Sequence, residues 1–204
     1  MLYLYDNAIV DDLMRSFNPN HVENPVVKVI SPEQIIELAA QIQDDSVSFP
    51  IVALDRDDNT SIDTDRMNFT RAHFGVSSVL DTETNNLYYE KAIPVKLSYG
   101  LTLLTTNTAD RDELLKELMF KYMNMYYLTI QLPYYCKRKI RFGVTIDTNS
   151  EIQHSSGSFD YLESGKLYQT ILPLQCEGCV LVSYTPVKLK RVTHSVNAEL
   201  IDKS

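Results

Sequence analysis

Apolar residues recur at helical spacing near the start of the chain. Ile9, Val10, Leu13, Met14 and Phe17 fall on one stripe, which predicts a helix from Asp6 to Phe17, broken by Asn18-Pro19-Asn20. Val26-Val27-Lys28-Val29-Ile30 is β-branched and compact and reads as a short strand. Ser31-Pro32-Glu33-Gln34 then reads as a helix start. Ser is the N-cap, Pro occupies the first helical position where no amide is needed, and the Gln side chain can reach back to the cap amide. That helix is expected to run to about Gln43, burying Ile35, Ile36, Leu38, Ala39 and Ile42. Ser48 to Leu54 reads as a strand, and Asp55 to Asp65 as an acidic loop. Arg66 to Leu80 follows neither period, and Leu87 to Tyr89 opens a strand interrupted before Pro94.

The strongest alternation lies in Ile93 to Thr106. Ile93, Val95, Leu97, Tyr99, Leu101 and Leu103 point one way; Pro94, Lys96, Ser98, Gly100 and Thr102 point the other. Such a strand belongs to a sheet covered on one face only. Asn107 or Thr108 then caps a helix from about Ala109 to Met125, with Asp110, Asp112 and Glu113 where the helix dipole favours negative charge. Its inner face is Leu114, Leu115, Leu118, Met119, Tyr122 and Met125. Tyr126–Leu132 and Lys139–Ile146 return as strands, the second with Ile140, Phe142, Val144 and Ile146 on one face and Lys139, Arg141 and Thr145 on the other. Asp147–Ser158 reads as a polar loop. Leu167–Cys176 and Cys179–Tyr184 read as two strands around Glu177-Gly178, and Thr185–Ser204 as a polar arm. Strands outweigh helices and no βαβ repeat is present, so the expected class is α+β: a mostly antiparallel β-sheet with a few helices packed on one face, in a single domain over residues 1–204.

Composition narrows the function. The chain has 204 residues, 44% hydrophobic and 23% charged, which are ordinary globular values. Its formal net charge of −8 argues against a general nucleic-acid binder and suits partners with basic surfaces. No basic n-region precedes Met1-Leu2-Tyr3-Leu4-Tyr5, and no apolar run approaches the roughly 20 residues that span a bilayer. The expectation is a protein kept in a cytoplasm and away from membranes. Three cysteines are no disulfide framework.

Four constellations invite chemistry. Cys176-Glu177-Gly178-Cys179 is a C-x-x-C without a second ligand pair at zinc-finger spacing, and it lacks the helix N-terminus of a redox site. It reads as two small apolar residues flanking a turn. His154-Ser155-Ser156-Gly157-Ser158 sets base and nucleophile types side by side, but lacks a nucleophile elbow. Asp55, Asp57, Asp58, Asp63 and Asp65 cluster without the Gly and closing Glu of an EF-hand. Cys136-Lys137-Arg138-Lys139-Ile140-Arg141 is the basic run, with Tyr134 and Tyr135 before it. It can meet DNA phosphates or an acidic neighbour, or remain a solvated face. No phosphate-cradling glycine motif is present. Hence no catalytic, cofactor-binding or metal residues are assigned, and no cofactor or enzymatic activity is expected.

The element order carries a resemblance. Phe49-Pro50-Ile51 opens a strand. After a polar insertion over about 55–86 comes Ile93-Pro94-Val95-Lys96-Leu97-Ser98-Tyr99-Gly100-Leu101-Thr102-Leu103, then Leu104-Thr105-Thr106-Asn107-Thr108 leading into Asp110-Arg111-Asp112-Glu113-Leu114-Leu115. A proline-initiated strand with a Tyr-x-Leu-x-Leu core running into a Thr-x-x-x-Asp turn, and then a helix of acids and paired aliphatics, resembles the tail terminator proteins of tailed bacteriophages, especially the sheath-stabiliser branch. The match covers roughly Ser48 to Val182; the absence of Trp is a departure from some members.

The resemblance implies a structural virion protein of the tail and neck, assembled in the host cytoplasm. It would form a hexameric homo-oligomer ring on the head-proximal end of the tail tube, end tube growth and join the tail to the neck. The implied partners are further copies of the chain, the tail tube protein, a neck or connector protein, and the sheath protein if the tail is contractile, with DNA touched at most in the lumen. Candidate subunit contacts are the basic residues Lys137, Arg138, Lys139 and Arg141, the acidic Asp55, Asp57 and Asp58, His154 in its loop, and Lys188, Lys190 and Arg191 in the C-terminal arm about 185–204. Another neck or head-completion protein of the virion is the alternative, and a small enzyme or ligand-binding domain the lesser one.

Overall fold

The computed structural model describes residues 2–18, 27–31, 34, 49–63, 76–81, 86–132, 139–157, 167–183 and 187–188. In chain order the elements are α1 (Tyr3–Phe17), β1 (Lys28–Ile30), β2 (Ile51–Ile62), β3 (Val76–Asp81), β4 (Asn86–Thr105), α2 (Thr108–Tyr122), β5 (Tyr126–Gln131), β6 (Lys139–Ile146), β7 (Gln153–Gly157), β8 (Leu167–Ser183) and β9 (Val187–Lys188). All nine strands join one sheet in the order β1-β2-β4-β8-β6-β5, with β3 and β9 on β4 and β7 on β8. The β1–β2 pair is parallel and every other pair antiparallel. The fold is α+β and sheet-dominated, with α1 and α2 packed on one face.

The frame is the β4–β8 ladder, which runs without a break from Glu90 opposite Ser183 to Thr105 opposite Tyr168. Each of these strands contains a proline, and each proline ends the strand beside it. The Asp63 N–H donates to the Pro94 carbonyl at 3.0 Å, but Pro94 has no N–H to return, and β2 stops at Ile62. The Asp147 N–H donates to the Pro173 carbonyl at 3.0 Å, Pro173 returns nothing, and β6 stops at Ile146. The chain bulges out over 147–152 and resumes beside β8 as β7, out of step with β6. On the other flank β3 takes up β4 where β2 has left it.

The Asp147–Pro173 bond fixes the parity of the ladder. Odd-numbered residues of β6 turn their N–H and C=O groups to β8, and even-numbered ones turn theirs to β5. Since Tyr126, Leu128 and Ile130 stand opposite Val144, Phe142 and Ile140, the backbone groups of Tyr127, Thr129 and Gln131 face outward from the sheet edge.

The same parity leaves Cys179 facing a gap, because β6 pairs with β8 no further than Gly143 opposite Glu177. The Tyr5 hydroxyl of α1 fills it. It donates to the Cys179 carbonyl at 2.6 Å and accepts from the Cys179 N–H at 2.8 Å, standing in for the missing strand. Burial pushes the Tyr5 pKa up, so the hydroxyl keeps its proton. A Cβ on Gly178 would lie 2.9 Å from the Tyr5 ring, so glycine is what lets the ring reach the strand. Phe142 packs its ring against Tyr5 in an edge-to-face contact, centroids 4.8 Å apart.

Both helices bury the stripes their spacing predicts, with exceptions. α1 begins at Tyr3 and buries Tyr5, Asp6, Ile9, Val10 and Leu13, while Met14 is exposed. In α2 the Asn107 Oδ1 accepts from the Asp110 N–H at 2.7 Å, and its Nδ2 donates to Asp110 Oδ2 at 2.7 Å, a reciprocal cap. Leu114, Leu118 and Tyr122 face the core, with Leu115 and Met119 at its margin. On the opposite face Ile30, Ile51, Ala53, Leu104 and Leu167 form a smaller cluster. The Ser31 N–H donates to Gln34 Oε1 at 3.4 Å, as the capping pattern requires; the rest of the helix expected to Gln43 lies outside the described residues.

Three expectations are corrected. Asp55–Ile62 is strand, not loop: β2 tolerates Asp55 and Asp57 because they sit at a sheet flank with exposed side chains. The strand expected from Ile93 begins at Asn86 and runs through Pro94, whose missing donor faces the end of β2 rather than β8. Leu167–Ser183 is one strand, so no turn separates Cys176 from Cys179. In an extended strand their Cα atoms stand about 10 Å apart and their side chains point to opposite faces. That is beyond the roughly 7 Å limit for a disulfide.

Replacing Leu118 by Ala is expected to cost about 2–5 kcal/mol in urea unfolding. Phe120→Ala, two residues on and on the exposed side, is expected to cost no more than about 0.5 kcal/mol. Tyr5→Phe keeps the ring but removes both of its hydrogen bonds to the Cys179 backbone. It is expected to lower stability by about 1–3 kcal/mol in the same measurement.

Candidate assembly interface

The face of the sheet away from α1 and α2 separates charge. Across β2, β4 and β8 lies a concavity of about 390 Å³ lined by Ser98, Gly100, Ile171 and Pro173 and walled by Asp55, Asp57, Asp147 and Glu151. The walls are products of strand irregularity. β2 pairs in register to Arg56 opposite Tyr99, then shifts before Thr60, so Asp57 and Asp58 fall in a bulge. On the other flank the excursion of 147–152, opposite Pro173, supplies Asp147 and Glu151. Among the described residues no three His, Cys, Asp or Glu side chains converge closely enough to hold a metal ion, so these carboxylates ring the concavity rather than share a centre.

Asp147 shapes its wall through hydrogen bonds. Its Oδ2 accepts from the Ser150 hydroxyl at 2.7 Å and its Oδ1 from the Asn149 N–H at 3.0 Å. These bonds, the Ser150 one foremost, hold its carboxyl below the ordinary carboxylate pKa.

The opposite charge sits at the other end of the same face. Lys139 and Arg141 alternate on β6 with the buried Phe142 and Val144, on the side facing away from the core. The Arg141 guanidinium lies 4.1 Å from the ring centre of Tyr127 on β5, a cation–π stack that carries the charge toward the free edge.

Buried polar contacts on the helix side hold both ends in place. Asp6 is 8% exposed, yet its carboxylate accepts from Arg56 Nη1 at 2.8 Å and from the Tyr99 hydroxyl at 2.8 Å. Burial, with the Asp6 charge second, raises the Tyr99 pKa and keeps it a donor. Arg56 is the last residue of β2 before the bulge, so Asp6 fixes the strand where the acidic wall departs. At the other helix, Lys121 Nζ meets Asp12 Oδ2 at 2.5 Å and Ser16 Oγ at 2.6 Å, and lies 5.0 Å from the ring centre of Tyr126. The Tyr126 hydroxyl donates to Asp12 Oδ1 at 3.2 Å, tying α1, α2 and β5 together.

The candidate contacts foreseen from sequence thus divide. Lys139 and Arg141 gather at one end, and Asp55 and Asp57 at the other, with Asp58 in the bulge between Arg56 and Thr60. His154 belongs to neither end. It stands in β7 rather than a loop, opposite Thr170, with Nδ1 3.0 Å from the Thr170 hydroxyl. Lys188 lies in β9 opposite Asn86, at the far end of β4. Lys137, Arg138, Lys190 and Arg191 fall outside the described residues. Sequence reasoning missed Asp6, Arg56, Asp147 and Glu151. Asp6 carried a legible signal, since it sits one turn before Ile9 on the apolar stripe of α1 and must therefore find partners inside. No family model matches the chain, and no curated protein sequence matches it. Among the described residues no helix is long and apolar enough to cross a membrane.

Because the folded pKa of Asp147 is depressed, its bonds contribute fully above the unfolded carboxylate value of about 3.9 and are lost as pH falls through the lower folded value. The Asn149 amide and Ser150 signals, followed by NMR from neutral pH downward, are expected to hold their positions to below about pH 4 and then move together.

Proposed function

We propose that this chain is a structural virion protein that forms a ring on the head-proximal end of a phage tail tube. The ring stops tube growth, joins the tail to the neck and, where the tail is contractile, anchors the top of the sheath. Its partners are copies of itself in a hexameric ring, the tube protein and a neck or connector protein. The observation that carries this reading is the separation of charge on one sheet face: Lys139 and Arg141 at the β6–β5 end, Asp55 and Asp57 at the β2 end. Two different, mutually complementary surfaces on one molecule make heterologous head-to-tail contacts, and such contacts form rings where the rotation between copies closes. Exposed charges of this kind steer and orient subunits more than they add affinity. The polar segment about 185–204 is the part of this single domain that would serve tube and neck.

In cells producing the phage without this protein, tails are expected to be of irregular length or to fail to join heads, as counted by electron microscopy. Normal-length tails joined to heads would end the proposal. Purified protein is expected to show hexameric rings by native mass spectrometry, alone or on purified tubes. Lys139→Glu with Arg141→Glu is expected to reduce them.

A further inference from the structure

Among the described residues, the two ends of the charged face lie at the two ends of the strand order, with β2 beyond Ala53 at one and β5 at the other. We propose that the outer edge of β2 in one copy pairs in parallel with the outer edge of β5 in the next, so that the sheet continues through the joint between subunits. This deepens the ring reading and rests on it.

Four observations converge. First, β5 presents the backbone groups of Tyr127, Thr129 and Gln131 outward, and among the described residues no strand takes them up. They open into a groove of about 350 Å³ between β5 and the outer side of α1, lined by Leu4, Asn7, Ala8 and Arg15 among others. Second, β1 covers β2 only from Ile51 to Ala53. By the same parity, Arg56, Thr60 and Ile62 turn their backbone groups away from β4, and the side chains of Thr60, Ser61 and Ile62 are exposed.

Third, the faces match. β2 and β5 run in the same direction through the alternating strands between them. A rotation about an axis along the strands keeps that direction and keeps each face on its own side. Asp55 and Asp57 of one copy then come beside Tyr127 and Arg141 of the next, on the face away from α1 and α2. On the helix side, Ile62 is 57% exposed and comes to the groove where Leu4 and Ala8 offer apolar surface. An exposed Ile on a bare strand edge is otherwise a liability. Fourth, the two edges differ in charge. The groove lining sets Arg15 against Asp11, with Asp12 paired to Lys121, and Arg141 stacks on Tyr127 beside it, whereas β2 carries the exposed Asp55 and Asp57.

The test reads alternate backbone amides in the full-length protein. In the assembled ring, the amides of Tyr127, Thr129 and Gln131 are expected to exchange at least about a hundredfold more slowly than in the monomer. Those of Leu128 and Ile130, already bonded to β6, are protected in both. Thr129→Pro removes an outward donor without touching the β5–β6 ladder, and is expected to weaken self-association by at least about tenfold, while Thr129→Val does not. Ile62→Asp is expected to weaken it as well. If rings form but the odd-numbered amides stay fast, or the proline variant associates like wild type, the strand joint is wrong and the ring reading stands. If Thr129→Pro fails to fold, the exchange pattern of the unaltered protein decides alone. If the chain forms no ring alone or on tubes, both fall.

Discussion

The long antiparallel pairing of β4 with β8 places every other element, because all the strands except β1 and β5 attach directly to one of these two. A ladder of that length tolerates no slip. A one-residue shift would turn Leu97, Leu101, Leu172 and Leu174 out of the core and Lys96 and Gln175 into it. The prolines are compatible with it because each turns its missing donor away from the ladder, Pro94 toward β2 and Pro173 toward β6. What they cost is continuity in the flanking strands, and the chain turns that cost into shape. Where β2 and β6 end or bulge, backbone is thrown out of the sheet plane, and those are the places where Asp57, Asp147 and Glu151 reach the face away from α1 and α2.

The helices serve the same frame by repairing what it leaves unpaired. Tyr5 gives Cys179 the hydrogen bonds that β6 stops short of making, and Gly178 makes room for its ring. Asp6, one residue on, receives Arg56 and Tyr99 from two strands. A carboxylate this deeply buried contributes little net stability over an apolar residue, since desolvation offsets most of the attraction. Its effect is positional: it selects the one orientation of α1 in which both strands are satisfied. Lys121 does the equivalent for α2, between Asp12, Ser16 and the Tyr126 ring.

Much of this was legible in the sequence, and the rest was not for stated reasons. Period two found Lys139–Ile146 to the residue, because both faces of that strand differ sharply in polarity. The helix stripes were readable for the same reason, as was the Asn107 cap. Asp55–Ile62 was not, because acids at a sheet flank lose the alternation that marks a strand while their backbone still pairs. Nor was the unity of Leu167–Ser183: Glu177-Gly178 looks like a turn until Tyr5, distant in sequence, supplies the reason for a glycine there. The basic and acidic ends were each visible as charge runs. That they share one face depends on the order of strands, and no local pattern carries that order.

Sharing a face also bears on whether copies of this chain would close or grow without limit. A heterologous joint between flat sheets related by translation would extend as a ribbon, the arrangement that exposed edges risk. This sheet is not flat: α1 touches β1 and β2 near one end of the strand order and β5 at the other, so the sheet bends around the helix. Strand twist and the bulge in β2 add to that curvature, each with a fixed hand. Two edges carried by a curved sheet meet only if each copy is rotated relative to the last, and such a rotation closes into a ring when its step divides a full turn without rise along the axis. On the proposed reading, the interruptions that expose the acidic wall and the curvature that turns a row of copies into a ring arise from the same frame.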